Sequence, residues 1–225
     1  VFQRVMEETL QGLEGVSVYQ DDVLIYGKTA SEHNSRLRKV LSAMESRGIK
    51  LGKDKCVFGV DMVEYLGHQV SKDGIAPRPG LLSAVANVAT PTDKDNLRAF
   101  IGMCEYYSKF VNGLAIVAEP LLSLLRKNVK FEWKTEQERA FEELKCMLAK
   151  APLLSPYMPG ADMVITVDAS NVGVGAVLTQ NQRGSEKTIA FASRSLRTQE
   201  RLYSVIEKGM LACVWAVNKF KPYVW

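Results

Sequence analysis

Histidine is almost absent from this chain: two in 225 residues, His33 and His68. Cysteine is scarce as well. Cys56, Cys104, Cys146 and Cys213 stand far apart and form no Cys-x-x-Cys pair. With so few such ligands at such spacing, a zinc site is not expected. Free thiols in a reducing compartment are the simple reading. No run of about 18 apolar residues exists, so no membrane span is expected. No basic-then-apolar leader opens the chain, so no signal peptide is expected. Neither sign of charge dominates: 29 Lys and Arg face 25 Asp and Glu, a net +4. That lends only mild support to a polyanionic partner. The excess is uneven: residues 161–225 carry eight basic and five acidic residues, residues 1–160 carry 21 and 20. There is no dense basic stripe, so a nucleic-acid groove has to be assembled by folding. Internal repeats and low-complexity tracts are missing too.

What remains is an ordinary globular composition, 47% apolar and 24% charged, with room for one or two domains. The chain opens on Val rather than Met, from which a fragment or processed piece is expected.

The most informative feature is Tyr19-Gln20-Asp21-Asp22. Two adjacent carboxylates sit between the β-rich runs Val16-Ser17-Val18 and Val23-Leu24-Ile25-Tyr26. That pattern reads as a hairpin with two acids at its tip. Like charges repel, so such a tip holds both when they face water or bind cations. Magnesium takes carboxylate oxygens together with substrate phosphates. Taken alone, Asp-Asp is most simply a solvated acidic turn; its context decides.

The first residues read as the end of a helix stopped near Gly12. A strong helix is expected over 29–47, with Leu37, Val40, Leu41 and Met44 on one face, Ser31 as N-cap and Gly48 as stop. Residues 49–58 read as extended and basic, with Lys50, Lys53 and Lys55. Residues 63–70 and Gly74-Ile75 flank a turn at Ser71-Lys72-Asp73-Gly74. From Pro77 and Pro79 the pattern becomes helical, over 81–88, 94–110, 114–126 and 136–149, the last capped by Thr135. Pro152, Pro156 and Pro159-Gly160 read as a linker. An α/β unit follows, with strands at 163–168, 173–178 and 188–192 and a helix over 199–220.

This last unit offers a second acidic site. Val164-Ile165-Thr166-Val167-Asp168 is a β-rich run ending in one acid. Leu202, Ile206, Cys213, Val217 and Phe220 are expected on the buried face of the final helix. Glu207 is one step of about 100° from Ile206, so it borders that face and is placed to lean toward Asp168. A surface glutamate is the plain alternative. A pair of acids from a strand and a helix is what a two-metal phosphodiesterase needs.

The chain resembles the reverse transcriptase–ribonuclease H part of a gypsy-type LTR retrotransposon Pol polyprotein. The resemblance runs end to end through Phe2-Gln3-Arg4, Tyr19-Gln20-Asp21-Asp22, Glu32-His33, Lys55-Cys56-x-Phe58 and Glu64-Tyr65-Leu66-Gly67-His68. It continues through Leu97-Arg98-x-Phe100-x-Gly102, Tyr106-Tyr107, Ala140-Phe141-x-x-Leu144-Lys145, Asp168-Ala169-Ser170, Gly173-x-Gly175-Ala176-Val177-Leu178, Ala192-Ser193-Arg194 and Tyr203-Ser204-x-x-Glu207-Lys208. It implies an α/β (α+β) chain in three parts. Residues 1–78 would be the C-terminal part of a reverse transcriptase palm, 79–159 a helical thumb and connection, and 160–225 the N-terminal part of a ribonuclease H-like domain.

The implied roles follow residue by residue. Asp21 and Asp22 would hold the polymerase Mg2+ (or Mn2+), with Tyr19 near the primer end. Lys55 or Lys53 would approach the leaving pyrophosphate. Leu66, Gly67 and His68 would grip the primer strand, and Ser193 would touch nucleic acid. Asp168 and Glu207 would be ribonuclease H carboxylates and metal ligands. The implied partners are an RNA template, a DNA primer, the RNA–DNA hybrid, dNTPs and the rest of the Pol polyprotein, with no membrane, in an intracellular setting (cytoplasmic particle or nucleus).

The departures bear on activity. The family's polymerase site takes a third aspartate from an earlier strand, and its nuclease site takes two further acids after the point where this chain stops. Gly209 stands where the family usually has an acid, and weakens its helix by about 1 kcal/mol relative to Ala. The isolated chain is therefore expected to be inactive in both reactions. The competing reading is a catalytically dead remnant that binds nucleic acid weakly through phosphates, with salt sensitivity and no sequence preference. A helical protein-binding scaffold over 80–150 has no specific support.

Overall fold

The computed structural model describes the backbone of residues 1–225 and every side chain except that of Leu82. The chain forms two compact units, Val1–Ser71 and Lys72–Trp225.

In the first unit, α1 (Phe2–Leu10) buries Met6 and Leu10 and ends before Gly12, whose φ of +78° stops the helix. Strands β1 (Val16–Tyr19) and β2 (Asp22–Ile25) pair antiparallel, with Val16 opposite Ile25 and Tyr19 opposite Asp22. Helix α2 (Ala30–Ser46) adds Val40 and Met44 to a small core with Met6 and Leu10. Its cap is Thr29 rather than Ser31: the Thr29 hydroxyl accepts from Glu32 N, and Glu32 returns a bond from Lys28 N. The reciprocal bonding explains the shift of two residues. Gly48 stops the helix at φ +67°, with Gly48 N donating to Glu45 O and Ile49 N to Met44 O. Leu41 is exposed, so the buried face is narrower than its spacing suggested.

Residues 49–58 are not a plain extended run, because Lys53–Lys55 form a 3₁₀ turn. The expected single strand over 63–70 is two strands, β3 (Met62–Tyr65) and β4 (His68–Ser71), folded at Leu66-Gly67. Both turn residues have positive φ, +47° and +69°, as a tight right-twisted hairpin requires.

The second unit opens with β5 (Gly74–Pro77) and α3 (Pro79–Ala86). Helix α4 (Lys94–Tyr106) is capped by Asp93, which accepts from Asp95 N and Asn96 N. The expected helix over 114–126 is broken into α5 (Leu114–Val117) and α6 (Glu119–Leu124), since Pro120 starts a new helix and cannot continue one. Helix α7 (Thr135–Ala149) begins one residue earlier than expected. Its end is closed by Gln137, which accepts from Lys134 N, so Thr135 is not its cap. Leu97, Phe100, Phe110, Leu121, Phe141, Leu144 and Leu148 make the largest core of the chain. Cys104 lies inside it, and burial, with Glu105 close by, pushes its thiol up to about 12. That thiol is inert at neutral pH.

Strands β6 (Met163–Ala169), β7 (Gly173–Gln182) and β8 (Ser185–Ser195) form an antiparallel sheet in the order β6-β7-β8. The last two are longer than the sequence suggested and meet at Arg183-Gly184, another turn with two positive φ values. Helix α8 (Val205–Lys219) starts after a 3₁₀ turn at Glu200–Leu202, later than expected, and α9 (Lys221–Val224) follows.

The proline segment between α7 and β6 is no free tether. Leu154 exchanges both backbone hydrogen bonds with Ile75, and Ser155 N donates to Thr188 O. Proline cannot donate to a ladder, so side-chain amides complete the job. Gln180, only 1% exposed, accepts from Met158 N and donates to Met158 O at 2.9 and 3.0 Å. Gln182 donates to Pro156 O. Gln180→Leu is expected to destabilise this unit by about 1–3 kcal/mol, because Met158 N and O lose the partners that the buried Gln180 gives them. Chemical denaturation checks it; a loss below about 0.5 kcal/mol would show that the strap adds nothing.

Candidate functional site

The hairpin holds its acids as the sequence suggested. Asp21 is at the tip and Asp22 is the first residue of β2, both exposed. Gln20 takes the positive φ, +52°, that this two-residue turn needs from its first member. A residue other than Gly in that conformation is held from outside. The holder is Gln3 of α1, whose Oε1 accepts from Gln20 N and whose Nε2 donates to Val18 O. Gln3 is thus a positioning residue that residue-by-residue reading passed over; its only signal was its place in Phe2-Gln3-Arg4. Among the described residues neither Asp21 nor Asp22 enters an ion pair. Their oxygens face solvent and suit a hard divalent cation in kind.

Tyr19 is about half exposed beside them. Lys53 and Lys55 are exposed at the two ends of their 3₁₀ turn. Leu66 and Gly67 form the β3–β4 turn, and His68 opens β4 half-buried.

The second pair of acids does not converge. Along β6, Ile165, Val167 and Ala169 face the cores shared with α8. Strand alternation sends Asp168 to the opposite face, where it is exposed and accepts from Ala169 N. Glu207 does not lean toward it. Its carboxylate accepts from Ser204 N at 2.7 Å, while Glu207 N donates to the Ser204 hydroxyl at 3.3 Å. The bonds from Ser204 hold the Glu207 carboxyl below the usual carboxylate range. The spacing Ser204-x-x-Glu207 is itself a capping-box signature.

The buried face of α8 also differs from the expected one. Lys208, Ala212 and Ala216 turn inward with Phe220 following, while Leu202, Ile206, Cys213 and Val217 are exposed. The helix is apolar on nearly every side, so periodicity set no phase. Among the described residues no group of three or more His, Cys, Asp or Glu side chains is placed to hold a metal ion.

Ser193 is engaged within the fold: its hydroxyl accepts from Ala115 N at 2.9 Å. Arg194 forks onto Glu200 at 2.7 and 3.0 Å and lies over the Trp215 ring. Arg194, with Arg197 N assisting against the effect of burial, holds the Glu200 carboxyl below its ordinary value. A depressed folded-state pKa contributes stability above the unfolded carboxylate range, about 4.3, and loses it as pH falls. Glu200→Gln is therefore expected to lower stability by about 1–2 kcal/mol at pH 7. The deficit should vanish on acidification. Thermal melts of both proteins across the acid range check this; a deficit independent of pH would contradict it.

Comparison with known proteins places these elements. Residues 1–70 match the family described as reverse transcriptase (RNA-dependent DNA polymerase). Residues 133–225 match the RNase H-like domain found in reverse transcriptase. The chain is 38% identical over 226 residues to the retrovirus-related Pol polyprotein from transposon 297 of Drosophila melanogaster, covering 99% of this chain and 21% of that protein. It is 30% identical over 239 residues to the Pol polyprotein from transposon gypsy of the same organism, covering 100% of this chain and 23% of that one. The chain thus spans about a fifth of the length of the curated relatives it matches. Its fold follows that of a foamy viral protease-reverse transcriptase in complex with double-stranded DNA, at TM-score 0.89 and 24% identity, over 99% of this chain and 39% of that one. The same fold is seen in a foamy viral protease-reverse transcriptase with an RNA/DNA hybrid, at TM-score 0.85 and 24% identity, over 97% of this chain and 30% of that one.

Proposed function

We propose, from the premise that this chain belongs to the reverse transcriptase family of retrotransposon Pol polyproteins, that it supplies the metal-binding hairpin of an RNA-directed DNA polymerase together with an RNase H-like unit. The observation that carries the reading is the hairpin itself. Two exposed, adjacent carboxylates stand on a turn that α1 holds in place through Gln3. Like charges so placed are stable when water or a cation screens them.

In this reading Asp21 and Asp22 would hold magnesium or manganese, which would supply positive charge against the phosphates of the incoming dNTP. The chain's own residues do the positioning. Gln3 fixes the turn, so the two carboxylates keep one geometry without rearranging during reaction. Tyr19 offers its exposed ring beside the primer end. Lys55 or Lys53 brings an ammonium to the departing phosphates. The turn at Leu66-Gly67, with His68, meets the primer strand. The partners are RNA template, DNA primer and their hybrid, with the rest of Pol, inside the cell. The foamy viral structures with double-stranded DNA and RNA/DNA hybrid support a nucleic-acid partner.

The test is made on the full Pol product that contains residues 1–225. With primer annealed to an RNA template, dNTPs and magnesium, extension is expected. Salt-sensitive, sequence-independent binding without extension would instead mark a dead remnant.

A further inference from the structure

We infer that the RNase H-like unit of this chain is a non-hydrolytic platform that carries the helical region, and that Asp168 and Glu207 form no metal centre. The inference rests on the Pol reading above for the protein in which the unit sits.

Glu207 is engaged in a structural task. Its carboxylate closes the end of α8 through Ser204, as a capping glutamate does. Nothing nearby on α8 replaces it. Position 209 is Gly, and a Cβ there would meet nothing within 4 Å, so the space stands open with no acid in it. Lys208, 6% exposed, donates instead to Asn171 Oδ1 at 3.1 Å, in the turn just beyond Asp168. An ammonium at that place opposes a divalent cation rather than helping to hold one.

Asp168 lies on the other face of the sheet. It pairs with Gly175, and Gly175 with Ser193, so the three stand in one row. The Ser193 end of that row lies under α5. Ala115 N donates to the Ser193 hydroxyl, and the Ser195 hydroxyl donates to Ala115 O. Ile116 lies so near that a Cβ on Gly173 would come within 2.8 Å of its Cγ1. Arg201 adds an ion pair to Glu119 at the head of α6. The face that bears Asp168 is thus the face that seats the helical region.

The experiment uses the full Pol product. Asp168→Asn and Glu207→Gln are compared with the parent for cleavage of labelled RNA in a hybrid and, by calorimetry, for the number of Mn2+ ions bound. Gln keeps the capping box, so Glu207→Gln removes charge without removing the cap. Both variants are expected to leave cleavage and Mn2+ stoichiometry as in the parent. Loss of one Mn2+ in either variant, or a fall in cleavage of about 100-fold, overturns the inference. Ile116→Asp, which sets a charge against Gly173, is expected to raise the primer–template Kd about tenfold at unchanged kcat, and the milder Ile116→Ala to shift it the same way. Unchanged affinity in both removes the platform role. Asp21→Asn separates the two readings: if it leaves primer extension intact, the polymerase assignment fails whatever the Asp168 variant does.

Discussion

Asp21→Asn, made in the full Pol product, is expected to lower primer extension by at least about 10³-fold, near 4 kcal/mol of barrier. Asn has the shape of Asp and suits the same turn, so the hairpin is expected to keep its form. The tip is exposed and outside the core, which limits the change in stability to about 0.5 kcal/mol. What is lost is one negative charge and its acceptor capacity at a cation. Asp22→Asn should behave alike. The comparison is steady-state primer extension beside thermal melting. An extension rate within about tenfold of the parent, with the fold intact, would refute the metal-binding role of the hairpin. Primer–template binding should be little changed, because it rests on phosphate contacts elsewhere.

Gly74→Ala is expected to destabilise the second unit by about 3–5 kcal/mol. Gly74 has φ +148°, a region that side-chain-bearing residues scarcely enter. A Cβ there would stand 2.0 Å from Leu154 O, a backbone atom with no freedom to swing away. The same Leu154 O accepts from Ile75 N at 2.8 Å, so relief of the clash breaks the bridge between β5 and the proline segment. For a unit of this size the loss amounts to about 10 °C in Tm. A fall of less than about 2 °C would mean that the bridge is dispensable. Gly209→Ala is the fitting control: its site is an open helix position, and the change should stabilise by about 1 kcal/mol.

Much of the element list was legible because its causes are local. The hairpin followed from two acids between β-branched runs, and the stop at Gly48 from a glycine after a helical face. The turn to helices at Pro79 acts within one turn of the chain, since Pro79 sits at the start of α3. The misses have local causes too. Leu66 at positive φ is a residue seldom chosen there, so its turn gave no compositional sign. The cap expected at Ser31 falls on Thr29, which accepts from Glu32 N while Glu32 accepts from Lys28 N.

The larger revision concerns Glu207. Its spacing from Ser204 fits a cap, and its place beside Ile206 fits an approach to the sheet. The sequence by itself determined which acids exist and that Asp21 and Asp22 share one turn, because these depend on neighbours along the chain. Only the tertiary structure decided that α8 turns Ala212 and Ala216 inward, that the proline segment is held at Met158 by Gln180, and that α5 seats itself on the sheet face opposite α8. Those outcomes depend on the phase of one helix against a sheet built from distant segments. An α8 apolar on nearly every side leaves that phase to close packing, where small alanines let the helix approach the strands.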